Sequence, residues 1–151
     1  MKTNTKPRSR EAVFFEELYQ KLGYLCYAVS TSDGVLSSSE IKMIKKLVKD
    51  QWLSFEGTKD GYGSDAAYEI ISVFDWLVDE DFSGEEGYIV FEEFYKENDE
   101  QFSDSLKKLI LQTASEIATA AGASNKKEVS FLKNLHKLLF EYQKPNRQYN
   151  I

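Results

Sequence analysis

The chain has 151 residues, of which 42% are hydrophobic and 29% charged, and its net charge is −6. This length and composition are typical of one globular domain and exclude a disordered chain. The single cysteine and single histidine exclude an internal disulfide, a cysteine-rich zinc site and a metal site built on two histidines.

Two long helices are predicted in the first part of the chain. Residues 1–10 form a basic arm that we expect to be flexible, and apolar residues at helical spacing predict a helix from about Arg10 to Ser30. A second helix is predicted to begin at Ser37. A glycine-rich loop over residues 55–64 ends it.

The middle of the chain predicts two further helices. Ser64 or Asp65 caps the first of them, whose apolar residues again recur at helical spacing. Residues 81–87 form the next break because they combine glycine, serine and acidic residues. A shorter, aromatic helix then runs from Tyr88 to about Lys96.

Two more helices complete the pattern. Ser103 caps a long helix that Gly122 ends, and Ser124 or Asn125 starts the last helix, which stops before Pro145. No segment alternates polar and apolar residues for long enough to indicate a strand. The predicted fold class is therefore all-α, a single-domain helical bundle.

The bundle is predicted over residues 11–143, with a C-terminal tail over residues 144–151, and it contains a repeat. A helix–turn–helix unit in the first half recurs in the second half, 88 positions later. Three matched pairs define the repeat: Gly34 with Gly122, Glu40 with Glu128, and Ile44 with Leu132. In each copy a glycine follows one helix and a capping residue begins the next.

Two interpretations of the repeated glutamates stay open. Ser37-x-x-Glu40 and Asn125-x-x-Glu128 are typical of capping boxes, in which the glutamate bonds the backbone at a helix start. Alternatively, Asp33 and Glu40 place carboxylate oxygens beside a helix start, where they suit a hard cation such as Ca²⁺ or Mg²⁺.

The first copy of the repeat also carries a family resemblance. Residues 28–47, built around Asp33-Gly34-x-Leu36-x-x-x-Glu40, resemble the signature of the tellurite-resistance TerB family. The weaker copy over residues 120–128 is similar to the second half of the same fold. The resemblance covers most of residues 12–140.

The resemblance implies a TerB-like, pseudo-twofold bundle of about seven helices. It also implies a non-enzymatic bacterial stress-response module that binds a divalent metal (Ca, Mg or Zn) weakly and acts through a protein partner, within a membrane-associated complex. The metal residues that it implies are Asp33, Glu40 and Glu128. Ala121 stands where the second copy should hold an acid, and Glu116, about a turn and a half earlier, is the candidate replacement.

A degenerate EF-hand-like calcium site is a further alternative. Asp79-x-Asp81-x-Ser83-Gly84 resembles the front half of an EF-hand loop, and residues 87–94 resemble the back half. The two halves are out of frame by three residues, so neither choice of loop supplies a full set of ligands. An acidic loop that caps a helix is the simpler interpretation.

Residues 75–104 hold twelve acids and one base. Such a run is either a solvated face or a docking surface for a basic partner, which defines the alternative function: an adaptor with an acidic face and no metal. The same acidity argues against nucleic acid as the ligand. Aromatic residues in and beside this run are predicted to lie mainly in the core: Phe74, Trp76, Tyr88, Phe91, Phe94, Tyr95 and Phe102.

The chain contains one cysteine and one histidine, two residue types that are often used in catalysis. Cys26, in an apolar run, is predicted to be buried and inert, and His136 to flank the apolar stripe of the last helix. No nucleophile stands in a recognisable catalytic motif, so we predict that the protein is not an enzyme. With no disulfide, no signal peptide and no transmembrane segment in view, we expect it to be cytoplasmic.

Overall fold

The computed structural model describes residues 10–32, 34–59, 65–121 and 126–145, with the backbone alone for residues 54–59, 65 and 126–128. Within these ranges the chain forms six α-helices, one 3₁₀ turn and no strand, which confirms the all-α prediction. The helices are α1 (Arg10–Ser30), α2 (Ser38–Lys59), α3 (Asp65–Glu80), α4 (Gly84–Asn98), α5 (Asp104–Ala120) and α6 (Lys126–Glu141), with the 3₁₀ turn at Asp99–Gln101.

Helix α1 is the centre of the bundle. It packs against α3, α4 and α5, while α2 covers α3 and α5, and α6 packs on α5. All six residues from Leu25 to Ser30 are buried, because neighbouring helices surround this end of α1 on every side. Its bounds are those predicted from the apolar spacing.

Two glycines let the central helix approach its neighbours closely. A Cβ atom added at Gly23 would lie 2.6 Å from the Cβ of Val73 on α3. One added at Gly87 on α4 would lie 3.0 Å from the carbonyl oxygen of Tyr24 on α1. The bundle therefore requires the smallest residue at both contacts.

The predicted break over residues 81–87 is wrong at its second half, because α4 begins at Gly84 and not at Tyr88. The Ser83 hydroxyl caps the helix by accepting a hydrogen bond from the Glu86 backbone N–H at 3.3 Å. The early start also contradicts the EF-hand alternative, since only residues 81–83 separate α3 from α4 and no twelve-residue loop forms.

The predicted loop over residues 55–64 is wrong at its start, because α2 continues to Lys59. Residues 55–59 contain one glycine, Gly57, which costs a helix about 1 kcal/mol and does not by itself end one. Residues 60–64 lie outside the described part of the chain. The predicted start of α2 is confirmed, with Ser37 as the capping residue.

The last two helices follow the prediction at their described ends. The Ser103 hydroxyl accepts a hydrogen bond from the Leu106 N–H at 3.1 Å and caps α5. Helix α6 begins at Lys126, 88 positions after Ser38 begins α2. The predicted boundary residues Gly122, Ser124 and Asn125 lie outside the described residues, as do residues 1–9 of the basic arm and 146–151 of the tail.

The buried core confirms most of the aromatic prediction. Five of the seven aromatic residues are buried: Phe74, Phe91, Phe94, Tyr95 and Phe102. Tyr88 is half-buried, and the side chain of Trp76 is exposed, at 51%. Cys26 is buried as predicted, and burial raises the pKa of its thiol to about 12. No helix in the described ranges is long and apolar enough to cross a bilayer.

Candidate functional site

Glu40 takes part in a complete capping box at the start of α2. The Ser37 backbone N–H donates to Glu40 Oε1 at 2.9 Å, and the Glu40 N–H donates to Ser37 Oγ at 3.1 Å. This reciprocal pair satisfies two N–H groups that a helix start otherwise leaves without partners. The capping interpretation of Glu40 is thereby confirmed. Asp33, its predicted partner at a cation, lies outside the described residues.

Glu116 lies on α5, where both of its carboxylate oxygens accept hydrogen bonds. The Gln51 amide donates to Oε1 at 2.6 Å and the Gln112 amide donates to Oε2 at 3.1 Å. Gln51 follows Glu40 by eleven residues on α2, a separation of roughly 16 Å along the helix axis. Glu116 therefore contacts the far half of α2 and not the helix start that holds Glu40.

The predicted metal ligands do not form a cluster in the described part of the chain. There, no group of three or more His, Cys, Asp or Glu side chains is placed to hold a metal ion. Glu128 lies in the first turn of α6, but its side chain is outside the described atoms. The cation site around Asp33 and Glu40 stays a prediction.

A buried polar network explains the position of Glu116. The Trp52 indole N–H donates to Thr113 Oγ1 at 3.0 Å, and this hydroxyl in turn lies 2.7 Å from Gln51 Oε1. Trp52 and Thr113 are almost completely buried, so the network joins α2 to α5 inside the bundle. Glu116 is its outer, half-buried end. Sequence reasoning missed this network because Gln51 and Thr113 are 62 positions apart.

The acidic stretch runs from the second half of α3 through α4 and the 3₁₀ turn to Asp104, the first residue of α5. Three of its twelve acids lie within 4 Å of a described cation: Asp75 with Lys45, Glu92 with Lys96, and Asp99 with Lys144. The other nine have no described cation within that distance. They are Asp79, Glu80, Asp81, Glu85, Glu86, Glu93, Glu97, Glu100 and Asp104.

Four exposed residues form a row along α4 that is inclined to the helix axis. Glu85, Ile89, Glu93 and Glu97 are spaced by four, so each lies next to the following one on the helix surface, and we call them the α4 ridge. Glu93 and Glu97 are the one pair of like charges in the ridge at this spacing, and they repel each other at a cost of about 0.2–0.5 kcal/mol. Within the ridge, Ile89 exposes 47% of its surface. The ridge combines negative charge that no described cation pairs with and one apolar side chain.

A cleft of about 570 Å³ opens beside this ridge, between the end of α1, the start of α4 and the middle of α6. We call it the α1–α4–α6 cleft. Its apolar lining residues are Tyr88, Ile89, Phe131 and the buried Ala28, and its polar residues are Thr31, Ser32, Ser83, Glu85 and Asn134, with Gly84 completing the lining.

Tyr88 and Phe131 fix the shape of the cleft on the side of α6. Their ring centroids are 5.1 Å apart in an edge-to-face arrangement. Burial, and then the charge of Glu92, raise the pKa of Tyr88 to about 12. Its phenol is therefore a neutral group at physiological pH. The sequence did not predict the cleft, because Phe131 joins it only when α6 folds back towards α4.

No family model matches the chain, and no curated protein or solved structure matches it either. The resemblance to the TerB family stays a prediction.

Proposed function

We propose that this chain is a non-enzymatic helical interaction module that binds a basic segment of a protein partner through the α4 ridge. One observation carries the proposal. Glu85, Glu93 and Glu97 are exposed in a line around Ile89, and no described cation lies within 4 Å of their carboxylates. A basic partner removes the repulsion between Glu93 and Glu97 when it binds.

The expected binding energy is distributed over several contacts. An exposed ion pair contributes only about 0.2–1 kcal/mol, so a single lysine or arginine on the partner is not enough. A segment with several basic residues gains from several pairs at once. The acidic surface also speeds the encounter of the two molecules at low ionic strength.

The biological setting of the proposal comes from the TerB resemblance. It suggests that the module serves a bacterial response to tellurite or other chemical stress, as part of a membrane-associated complex. The weak divalent-cation site predicted around Asp33 and Glu40 has the same basis. The charge argument for the α4 ridge depends neither on the stress-response role nor on the cation site.

Titration with a synthetic peptide tests the proposal. The probe is a labelled amphipathic peptide of lysine and leucine, and binding to the full chain is measured by fluorescence anisotropy at about 50 mM and about 500 mM NaCl. We expect the affinity to fall at least about tenfold at the higher salt concentration. Binding that is independent of salt would overturn the proposal.

Two double variants with the same charge change locate the surface. Glu93→Gln with Glu97→Gln neutralises the ridge, and Asp50→Asn with Glu69→Gln neutralises two acids on α2 and α3. We expect the first pair to weaken binding several-fold and the second pair to leave it within about twofold of the original. An equal effect of both pairs would show that net charge, and not the ridge, attracts the peptide.

A further inference from the structure

We infer that the α1–α4–α6 cleft accepts one apolar or aromatic side chain of the basic segment, as an anchor beside the charged contacts. The inference rests on the proposed function and names the chemistry of the partner more closely. The partner is a basic segment with a leucine, isoleucine, methionine or phenylalanine among its lysines and arginines.

The cleft and the ridge form one continuous surface. Glu85 and Ile89 line the cleft and also begin the α4 ridge. A side chain that enters the cleft therefore brings its sequence neighbours over Glu85, Glu93 and Glu97. Apolar anchoring and charge pairing can occur in the same short segment, which is the arrangement of a binding surface with an apolar centre and a polar rim.

The size and lining of the cleft suit an anchor residue. Its volume of about 570 Å³ is larger than one side chain, so the cleft has room for the anchor and for part of the backbone that carries it. Ile89 is 47% exposed and Phe131 is half-buried, so an inserted apolar side chain removes apolar surface of both from water. The Asn134 amide on the rim makes no hydrogen bond to any described residue, which leaves it available to a peptide backbone.

The two sides of the cleft differ in charge, and this difference determines which residues of the bound segment lie over each side. The α4 side carries Glu85 and the rest of the ridge, whereas the α6 side carries the exposed Lys137 one turn beyond Asn134. Basic residues of the partner therefore lie over α4, and acidic or neutral residues over α6. An acidic segment meets repulsion on the side where Ile89 offers its apolar contact.

A pair of peptides tests the anchor. The first probe has lysines on one side of a central leucine and neutral residues on the other, and the second has alanine in place of that leucine. We expect the full chain to bind the leucine peptide about tenfold more tightly than the alanine peptide. Chemical-shift changes in NMR spectra of the leucine complex should centre on Ala28, Tyr88, Ile89 and Phe131.

Variants of the chain complete the test. Ile89→Ser removes an exposed apolar side chain from the cleft, and Met43→Ser removes one that is 53% exposed on α2, away from it. We expect Ile89→Ser to abolish the preference for leucine and Met43→Ser to retain it. Asn134→Trp, at an exposed position on the rim, should also abolish the preference because the indole occupies the cleft.

The possible outcomes separate the inference from the proposed function. If both peptides bind equally and binding remains salt-dependent, the cleft inference is overturned and the proposed function stands. If neither peptide binds, both are overturned. If anionic phospholipid vesicles bind and the peptides do not, the ridge and cleft do not recognise a protein segment, and both are again overturned.

Discussion

Glu40 fits two sequence patterns, a capping box and a cation ligand, and the structure shows the capping box. Its carboxylate bonds the Ser37 N–H at 2.9 Å, so the capping role is complete without any ion. We expect Glu40→Ala to lower the free energy of unfolding by about 0.5–2 kcal/mol, and Glu40→Gln to lower it by less because the amide oxygen still accepts the bond. Urea denaturation with intrinsic fluorescence measures both values.

The same variants test the cation site that the TerB resemblance implies. If Glu40 only caps the helix, the melting temperature of each variant differs from that of the original chain by the same amount with and without Ca²⁺, Mg²⁺ or Zn²⁺. An ion that raises the melting temperature of the original chain but not of Glu40→Gln would establish a site. The carboxamide then loses the charge that the ion requires while it keeps the cap.

Burial of Cys26 and Tyr95 predicts the alkaline limit of stability. The fold raises the pKa of the Cys26 thiol from 9.0 to about 12, and burial, with smaller contributions from Asp99 and Tyr142, raises the pKa of Tyr95 from 10.0 to about 12. Both groups stay protonated in the folded chain while they ionise in the unfolded chain. Stability is therefore fully present below pH 9 and is lost as pH rises from about 9 towards 12.

Denaturation at a series of alkaline pH values checks this prediction, with Cys26→Ala as the comparison. The variant begins from lower stability because it loses packing, but its stability should fall less steeply between pH 9 and 10, because it lacks the thiol that ionises in the unfolded chain over this range. Equal slopes would mean that the thiol ionises as readily in the folded protein as in the unfolded one. Under native conditions below pH 9, Cys26 should also resist thiol reagents.

At the scale of elements, the close contact between α1 and α3 depends on Gly23. Alanine is the better helix former by about 1 kcal/mol, but its Cβ at this position would lie 2.6 Å from the Cβ of Val73. Relief of that overlap forces the helices apart, at a cost of about 1–3 kcal/mol. We therefore expect Gly23→Ala to destabilise the protein, as measured by the midpoint of chemical denaturation.

A double-mutant cycle identifies the cause of that destabilisation. Val73→Ala removes the nearest atoms, so the combination with Gly23→Ala should cost less than the sum of the two single changes. Additive costs would indicate that the Ile70 carbonyl oxygen, 3.0 Å from the added Cβ, prevents the helices from adjusting. A stabilising Gly23→Ala would contradict the close contact itself.

Local patterns identify the starts of α2 and α5, but they fail at the start of α4 and for contacts between helices. The sequence identifies Ser37 and Ser103 as caps because the cap and the N–H groups that it bonds lie within three residues of each other. The same reasoning predicts a break at Gly84 and Gly87, although Gly87 contacts α1, which nothing in its neighbouring sequence reveals. The α1–α4–α6 cleft was unpredictable for the same reason, since Phe131 and Tyr88 come from distant segments.

At the scale of the whole molecule, charge is distributed unequally. Twelve acids and one base lie within residues 75–104, whereas residues 105–151 hold eight bases and three acids. Only three acids of the first segment pair with a described cation, so the described basic residues leave most of this face without a paired cation. Mutual repulsion of these acids lowers the free energy of unfolding of the isolated protein. Measuring that loss therefore tests the proposed function.

Neutralising the α4 ridge should therefore stabilise the isolated protein while it weakens binding. Glu93 and Glu97 repel each other at a spacing of four, and Glu97 stands one residue before the end of α4, where the helix dipole disfavours negative charge. We expect Glu93→Gln with Glu97→Gln to raise the free energy of unfolding by about 0.5–1 kcal/mol at low ionic strength. The gain should largely disappear at about 1 M NaCl, where the Debye length is only about 3 Å and the repulsion is screened.

Asp50→Asn is the control, because it breaks the pair with Lys46 at 3.0 Å and should give no gain. A ridge variant that is less stable than the original chain at low salt would show that these carboxylates stabilise the fold, and the charge argument for a basic partner would then fail.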